Sequence, residues 1–281
     1  MSLTQRITQL YRRAQLRLSG DDWLNVSRDG LRWRLNRTHH IDRELMLSGC
    51  FEPSTTQRIM QLVQPGMKVL DVGANIGYFS LLLARQVGAS GHVWAFEPTQ
   101  AYGQRLREHL QINQLESRVT VVPMALSDHR DQTVISIGEA SATLHPLDNA
   151  PARGCETIQL RKLDDLVDEL GIDRVDLVKV DIDGHEPAFL RGAERTIRKH
   201  QPIMIVEFFQ GNLDMAGGDV RQLKEQLETL GYRLHSDRTG EPYPSRFDFL
   251  RECGNFSNSV NVWAYPIRKF NHTVQSIRQA A

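Results

Sequence analysis

The chain has 281 residues, enough for one large α/β core, and its 34 Lys and Arg residues balance its 34 Asp and Glu residues. Because no long basic stripe interleaved with aromatic residues is visible, this balance disfavours a nucleic-acid partner. The three widely spaced cysteines argue against a disulfide framework or a zinc site, and the lack of an apolar signal segment or of an apolar run of roughly 18 residues predicts a cytoplasmic protein.

The N-terminal region predicts a basic amphipathic helix, because apolar residues recur there at helical spacing with arginines among them. The apolar positions are Leu3, Ile7, Leu10, Tyr11, Ala14 and Leu18, and the basic ones are Arg6, Arg12, Arg13 and Arg17. Such a helix docks on the domain or on a second copy of the chain, or it makes a peripheral contact with an anionic membrane surface.

A β-hairpin is predicted next, over residues 23–35, because apolar and polar residues alternate on both sides of the two-residue turn Asp29-Gly30. The hairpin has a structural role, or it takes part in a lid or a dimer contact. We place the helix and the hairpin in an N-terminal extension, residues 1–48. The main domain is predicted over residues 49–270, and a C-terminal tail over residues 271–281.

From residue 66 onward, strands and helices are predicted to alternate as in a right-handed βαβ series. The predicted strands are residues 67–72, 93–96, 119–122, 175–180, 203–207, 232–235 and 260–265. The predicted helices are residues 78–87, 100–113, 163–170, 187–200 and 220–230. The alternation breaks between residues 127 and 161, where strand-like pieces at 133–137 and 157–160 flank a polar loop, and we expect an insertion there.

The most informative segment is the turn after the first core strand, where Asp71 is followed by the loop Gly73 to Gly77 and then by a helix. The two glycines permit a tight turn and close approach of the backbone to a ligand, and the helix directs its first N–H groups to the same place. Asn75 stands where a dinucleotide fingerprint has its middle glycine. The loop therefore suits a cofactor with a cationic amino-acid tail, and an NAD-dependent enzyme is the competing interpretation.

The next strand ends at Glu97-Pro98, roughly twenty residues beyond the loop, where ribose-binding acids occur in such folds. Glu97 is expected to accept hydrogen bonds from both ribose hydroxyls. Any adenosine cofactor needs such an acid, so Glu97 alone does not separate the two interpretations.

These motifs resemble the FkbM-type S-adenosylmethionine-dependent methyltransferases. The shared segments are DVGANIG, FEP and the KVDIDGHE core within residues 176–186, with a CFEP lead-in at residues 50–53 and a later strand that ends at Glu207. The resemblance spans residues 49–266. It implies the α/β fold of class I methyltransferases, a Rossmann-like sheet of seven strands with an antiparallel edge and with helices on both faces.

The resemblance also implies roles for cofactor-binding residues. The glycine loop would hold the methionine part of S-adenosylmethionine and Glu97 the ribose, and Ser127 and Asp128 would lie near adenine. The full predicted set is Asp71, Gly73, Ala74, Asn75, Gly77, Glu97, Pro98, Ser127 and Asp128.

The resemblance implies methyl transfer, and we expect in-line O-methylation of a sugar or natural-product hydroxyl, with a small molecule or a glycan as acceptor. Transfer to nitrogen or to a carboxylate is an alternative. Such a transfer would change the need for a base. A further alternative is a module that binds the adenosine cofactor without catalysis in a glycan-assembly complex. Methylation of RNA is disfavoured by the charge balance.

The catalytic prediction rests on the ionisable groups that follow the strand before residue 181. Alternation sends Lys179, Asp181 and Asp183 to one side, and Gly184 frees the turn. An alcohol acceptor must lose a proton, and His185 is the first candidate for the base, with Asp181 the second. Lys179 either pairs with the carboxylates or stabilises a forming alkoxide.

A carboxylate at the end of an apolar strand needs a partner, which for Glu207 is Lys179, a metal ion or the acceptor hydroxyl. Asp181, Asp183 and Glu207 are hard oxygen ligands, so a Mg²⁺ ion that lowers the pKa of the acceptor hydroxyl is an alternative to a protein base. Glu186, beside Pro187, is interpreted as an acid in the first turn of a helix.

Overall fold

The computed structural model of this chain describes residues 22–138, 142–144, 154–256 and 258–268. The predicted helix of residues 3–18 and the predicted tail of residues 271–281 lie outside the described residues, as does part of the insertion's polar loop. In the ranges that are described, no helix combines the length and the apolar character needed to cross a bilayer.

The predicted hairpin is confirmed. Strands β1 (Trp23–Arg28) and β2 (Leu31–Asn36) pair antiparallel, and Asp29 and Gly30 both have positive φ angles, 48° and 72°, as a type I′ turn requires. The apolar face of β2 is buried in the same core as the large sheet, with Trp33 only 2% exposed. The hairpin is therefore packed on the main body of the protein.

Two helices that the sequence analysis did not assign follow the hairpin. They are α1 (His40–Ser48) and α2 (Pro53–Leu62). Helix α1 ends at Gly49, which has φ 87°, and α2 has Pro53 in its first turn, so each carries an ordinary boundary signal. These two helices connect the hairpin to the first core strand.

The remaining elements alternate along the chain much as predicted. The strands are β3 (Lys68–Val72), β4 (His92–Phe96), β5 (Val119–Val122), β6 (Ala125–Leu126), β7 (Asp131–Ile137), β8 (Ala142–Thr143), β9 (Gly154–Arg161), β10 (Leu177–Val180), β11 (Ile203–Phe208), β12 (Tyr232–Ser236) and β13 (Val260–Pro266). The helices are α3 (Tyr78–Val87), α4 (Gln100–Asn113), α5 (Leu163–Glu169), α6 (Glu186–Gly192), α7 (Glu194–His200), α8 (Gln210–Met215), α9 (Val220–Thr229) and α10 (Arg246–Cys253).

Seven of these strands form one sheet in the order β12-β13-β11-β10-β3-β4-β5. All neighbours are parallel except that β13 runs antiparallel to β11 and to β12. Alternate residues of β3 enter two different cores, Leu70 on one face and Val69 on the other, because successive side chains point to opposite sides. The predicted class I methyltransferase fold, an α/β sheet covered on both faces, is confirmed.

The predicted insertion forms a second, smaller sheet. Its strand order is β6-β9-β7-β8, and β7 pairs antiparallel with β9 over the full length of β7. The predicted strand pieces 133–137 and 157–160 both lie within these longer strands. Because β6 follows β5 closely, the small sheet begins at the carboxyl edge of the large one.

The single helix predicted over residues 187–200 is wrong, because the structure has two helices that are separated at Ala193. Two contacts explain the break. Gly192 packs so closely on Ser127 that an added Cβ would lie 1.8 Å from the Ser127 carbonyl oxygen. The Asp164 carboxylate accepts hydrogen bonds from the backbone N–H groups of Arg195 and Thr196, which satisfies the start of α7.

A buried ion pair fastens α1 to α4. Arg105 donates to Asp42 at 2.6 Å, and the Asp42 side chain has no exposed surface. We expect Arg105→Ala to lower the free energy of unfolding by about 3–5 kcal/mol, since it leaves a buried carboxylate without its cation. Urea unfolding measures this loss, with Arg198→Ala, from an exposed pair, as the control that should change stability by under about 1 kcal/mol. Equal losses in the two variants would contradict the prediction.

Candidate active site

A cavity of about 230 Å³ lies at the carboxyl ends of β3, β4, β10 and β11, where ligands bind in open α/β sheets. Most of the residues singled out from the sequence line it. They are Asp71, Gly73, Ala74, Asn75, Glu97, Pro98, Lys179, Asp181, Asp183, His185 and Glu207. The fold therefore brings together side chains from positions more than 130 residues apart.

The glycine loop has a backbone that only particular residues tolerate. The φ angles of Gly73, Asn75 and Gly77 are 84°, 51° and 91°. A Cβ on Gly73 would lie 1.9 Å from the Asp181 carbonyl oxygen, so a side chain is excluded there by both contact and conformation. Gly77 does not line the cavity; it caps α3, where a Cβ would meet the Leu106 side chain at 2.2 Å.

Glu97 ties the loop to the end of β4. It is only 4% exposed, and its Oε2 accepts from the Asn75 N–H at 2.8 Å, while Oε1 accepts from the backbone N–H and the hydroxyl of Thr99 at 2.9 and 2.6 Å. Burial raises the pKa of Glu97, and these hydrogen bonds act in the opposite direction. The carboxyl group is thus held in one orientation at the cavity wall by uncharged donors.

Asp71 lies next to the last residue of β3, before the glycine loop, and is 1% exposed. The Ser80 hydroxyl, from the first turn of α3, donates to it at 2.5 Å. Burial raises the pKa of Asp71, whereas the nearby Lys179 ammonium lowers it. Asp71 therefore joins the strand, the helix and the charged cluster around Lys179.

Lys179 is the cation of that cluster and is 2% exposed. Its Nζ donates to Asp181 at 2.7 Å and lies 4.5 Å from the centre of the Phe79 ring. Burial acts to lower the pKa of Lys179, but the nearby carboxylates raise it by more; they are those of Asp181, Glu52 and Asp71. The side chain is therefore an ammonium ion. Of the two alternatives for Lys179, the structure has the pairing with carboxylates.

Glu52 is a cavity residue to which the sequence analysis gave no role. It precedes α2 with φ 44°, a left-handed conformation that is uncommon for a glutamate. Burial raises its pKa to about 7, while the Lys179 ammonium and the Asn261 amide act to lower it. The one sequence signal for it was its place in the CFEP lead-in.

The loop after β10 is fastened at three points. Asp183, with φ 51°, accepts from the Asn212 amide at 2.8 Å, and the His185 Nε2 lies 2.9 Å from the Ser127 hydroxyl oxygen. Glu186 opens α6, as predicted, and its Oε1 accepts from the backbone N–H of Ile182 at 3.0 Å. His185 thereby lines the same cavity as Asp181 and Asp183.

Glu186 provides a test of this loop through pH. Burial raises its pKa to about 8, against an unfolded value of 4.5, so the folded state binds more protons between these two values. We expect stability to fall as pH rises through this window, by at most about 1.4 kcal/mol per pH unit from this group. Urea unfolding from pH 4.5 to 8.5 should give a flatter profile for Glu186→Gln, which keeps the accepting oxygen. An unchanged slope in that variant would contradict the assignment.

Ser127 and Asp128 do not occur among the described residues that line the cavity. Ser127 is fully buried behind His185, and Asp128 binds Arg191 and His129, each at 2.7 Å. Burial acts to raise the pKa of Asp128, but these two partners outweigh it and lower the pKa to about 2. The lining of the cavity gives no support to the prediction that this pair lies near adenine.

Glu207 lies at the end of β11 on the cavity wall. Burial and the neighbouring carboxylates of Asp181 and Asp183 raise its pKa well above the usual range. Over the described ranges, no group of three or more His, Cys, Asp or Glu side chains is placed to hold a metal ion. The predicted Mg²⁺ site of Asp181, Asp183 and Glu207 therefore finds no support, since Asp181 is tied to Lys179 and Asp183 to Asn212.

The chain is similar in sequence to methyltransferases of other organisms. The chain is 26% identical over 212 residues to methyltransferase sdnD of Sordaria araneosa, covering 65% of this chain and 79% of sdnD. It is 28% identical over 141 residues to hexuronic acid methyltransferase AglP of Haloferax volcanii, covering 50% of this chain and 55% of AglP. A further relative, 26% identical over 240 residues, is far longer, and the match spans only 11% of its length.

Among solved structures, the chain is similar to methyltransferase FkbM from Methylobacillus flagellatus KT, with 18% identity and a TM-score of 0.46, covering 79% of this chain and 52% of that one. The family model described as the methyltransferase FkbM domain matches residues 71–234, more than half of the chain. The matched segment begins at Asp71 and includes the glycine loop, Glu97 and the loop after β10. The chain belongs to the FkbM family of S-adenosylmethionine-dependent methyltransferases.

Proposed function

We propose that this protein transfers a methyl group from S-adenosylmethionine to a hydroxyl oxygen of a sugar or another natural product. The observation that carries the proposal is that the glycine loop and His185 line one cavity. The name of AglP, a hexuronic acid methyltransferase, supports a sugar acceptor. The balanced charge of the chain gives no reason to propose a nucleic acid instead.

The cavity has the donors and acceptors that an adenosine cofactor with an amino-acid tail requires. Glu97 would accept from the ribose hydroxyls, and the backbone of Gly73 and Ala74 would approach the methionine part. Asp71, on the wall beneath the loop, places a carboxyl group on that side. When bound, S-adenosylmethionine supplies an electrophilic methyl group on a sulfonium.

The residues of the chain then have to orient the acceptor and take its proton. His185 is the base in this proposal, since an imidazole has an ordinary pKa near neutrality and lies on the cavity wall. Ser127, fully buried and 2.9 Å from the His185 Nε2, fixes the ring. A base positioned in this way supplies roughly 10²- to 10⁴-fold in rate.

Calorimetric titration with S-adenosylmethionine, S-adenosylhomocysteine and NADH tests the cofactor, followed by a screen of neutral and acidic sugars for methyl transfer. We expect the first two ligands to bind and NADH not to bind. Binding of NADH alone would overturn the proposal. Binding of S-adenosylmethionine by a protein that methylates none of the acceptors would favour the non-catalytic module instead.

His185→Ala should lower turnover by about 10²-fold or more and leave the affinity for S-adenosylhomocysteine unchanged, because the base acts on the acceptor rather than on the cofactor. The measurement is the pH profile of turnover, whose acidic limb should disappear in the variant. His200→Ala, at the end of α7, is the control. Unchanged turnover in His185→Ala would remove this residue as the base.

A further inference from the structure

A second opening continues from the cavity toward the far edge of the sheet. This groove, about 360 Å³, shares Glu52 and Ser259 with the cavity and is bounded farther out by Asp237, Arg238, Glu252 and Asn261. Its walls come from the start of α2, the end of β12, helix α10 and the start of β13. It therefore opens from the part of the cavity that contains Glu52 and Ser259, and the glycine loop and Glu97 are not among its lining residues.

The groove contains an unpaired hydrogen-bond acceptor. Asn261 is 9% exposed, and its amide nitrogen donates to Glu52 and, at 3.0 Å, to the Thr55 hydroxyl. Its Oδ1 has no hydrogen-bond partner in the described part of the chain. A buried carbonyl oxygen without a donor is unfavourable, and this one has almost no exposed surface, so a rotation of the Asn261 side chain that presented it to a ligand hydroxyl or N–H group would relieve the missing hydrogen bond.

The charge of the groove is negative because its carboxylates take their hydrogen bonds from uncharged donors. Asp237 accepts from the Trp263 indole at 2.6 Å and from the Ser54 hydroxyl. Glu252 accepts from the hydroxyls of Ser236 and Tyr243 at 2.7 and 3.0 Å. These contacts satisfy the oxygens without neutralising their charge.

The positive charge near the groove includes Arg58, which lies outside the groove lining; its guanidinium donates to the backbone carbonyl of Asp237 at 3.0 Å and lies over the Trp263 ring. Among the described residues that line the groove, Arg238 is the one cation, and its side chain is exposed. In the adjoining cavity, Lys179 is paired with Asp181 and nearly fully buried. An anionic acceptor would therefore lie near more carboxylates than free cations. Because the groove is partly shielded from water, the carboxylates would repel the negative charge of such an acceptor.

We propose that this groove is the acceptor subsite and that it takes an uncharged, hydroxyl-rich sugar while rejecting sugars that carry a carboxylate. The inference rests on the proposed function, because it assumes that the adjoining cavity holds the cofactor. It departs from the hexuronic acid named for AglP, and it counts against a carboxylate as the methyl acceptor. Hydroxyl groups of the sugar would donate to Asn261 Oδ1 and to the groove carboxylates.

The test uses the full chain saturated with S-adenosylhomocysteine and two probes that differ only at C6, methyl α-D-glucopyranoside and methyl α-D-glucopyranosiduronate. Binding is followed by NMR through the Asn261 side-chain amide and the Trp263 indole, both of which contact the groove walls. We expect saturable shifts with the neutral glycoside and a dissociation constant at least tenfold weaker for the uronate. Equal or tighter binding of the uronate, or no shift with either probe, would overturn the proposal.

A matched pair of variants checks the cause of the selectivity. Glu252→Gln removes the charge and keeps one accepting oxygen, so it should tighten uronate binding several-fold and narrow the difference in affinity between the two probes, whereas Glu225→Gln, on the exposed face of α9, should change neither affinity. The same effect in both variants would contradict the subsite. Methylation of a hydroxyl group of a uronate, at a rate equal to that of the neutral sugar, would overturn this inference and leave the proposed function standing, while failure of the chain to bind S-adenosylhomocysteine would overturn both.

Discussion

Glu97→Ala is expected to weaken the binding of S-adenosylhomocysteine by roughly 100-fold or more. Under the proposed function the carboxylate accepts from two ribose hydroxyls, and hydrogen bonds to a charged group contribute about 1.5–3 kcal/mol each. The truncation also leaves the Asn75 and Thr99 N–H groups without the acceptor that fixes the loop. Calorimetric titration of the variant measures the affinity directly, and 1.4 kcal/mol corresponds to a factor of ten.

Two variants separate binding from folding in that experiment. Glu97→Gln retains an accepting oxygen for the loop and should lose less affinity than Glu97→Ala. Glu108→Ala, whose side chain pairs with Arg34 at the surface, should leave the affinity unchanged. Thermal unfolding of the free proteins gives the stability of each variant. A Glu97→Ala protein that is folded and binds S-adenosylhomocysteine like the wild type would contradict the assignment of the ribose acid.

The core of this fold follows from local patterns in the sequence. Helices α3 and α4 have the predicted bounds, because a glycine or threonine precedes each and an apolar stripe runs through each. The glycine loop and Glu97 also come together as expected, since the carboxyl ends of adjacent parallel strands meet at one edge of a sheet. Position relative to strand ends was thus sufficient to find most of the ionisable Asp, Glu, Lys and His side chains that line the cavity.

Other features depend on contacts between distant segments and could not be predicted in this way. The break at Ala193 depends on the approach of Gly192 to Ser127 and on a cap from Asp164, which lies 31 positions before Arg195. Glu52 lines the cavity and has a left-handed backbone, neither of which a periodic pattern reveals. The resemblance implied that Ser127 lies near adenine, and the contact of its hydroxyl with the His185 ring, 58 positions away, is one that no local pattern predicts.

Lys179→Met is expected to lower the free energy of unfolding by about 3–5 kcal/mol at pH 8, because it removes the cation from a cluster of buried carboxyl groups. Lys179 contacts Asp181 and also lowers the pKa values of Asp71 and Glu52. Without the Lys179 ammonium, the buried carboxyl groups of Asp71 and Glu52 favour the protonated form, so their pKa values in the folded protein rise further. The variant should also bind S-adenosylhomocysteine more weakly, since Asp71 and the loop share this region.

The sign of the pH dependence distinguishes this account from a simple packing defect. A carboxyl group whose folded pKa is raised stabilises the protein fully below its unfolded pKa, near 4, and this stability is lost as pH rises through the folded value. The deficit of Lys179→Met against the wild type should therefore be small at pH 4.5 and grow toward pH 8, as urea unfolding at both values would measure. Lys224→Met is the matched control. Lys224 also pairs with a carboxylate, that of Glu228, and lies over an aromatic ring, but at the surface, so the substitution should cost under about 1 kcal/mol at either pH. A deficit of the same size at both pH values would mean that Lys179 acts through packing alone and that the carboxyl cluster does not depend on its charge.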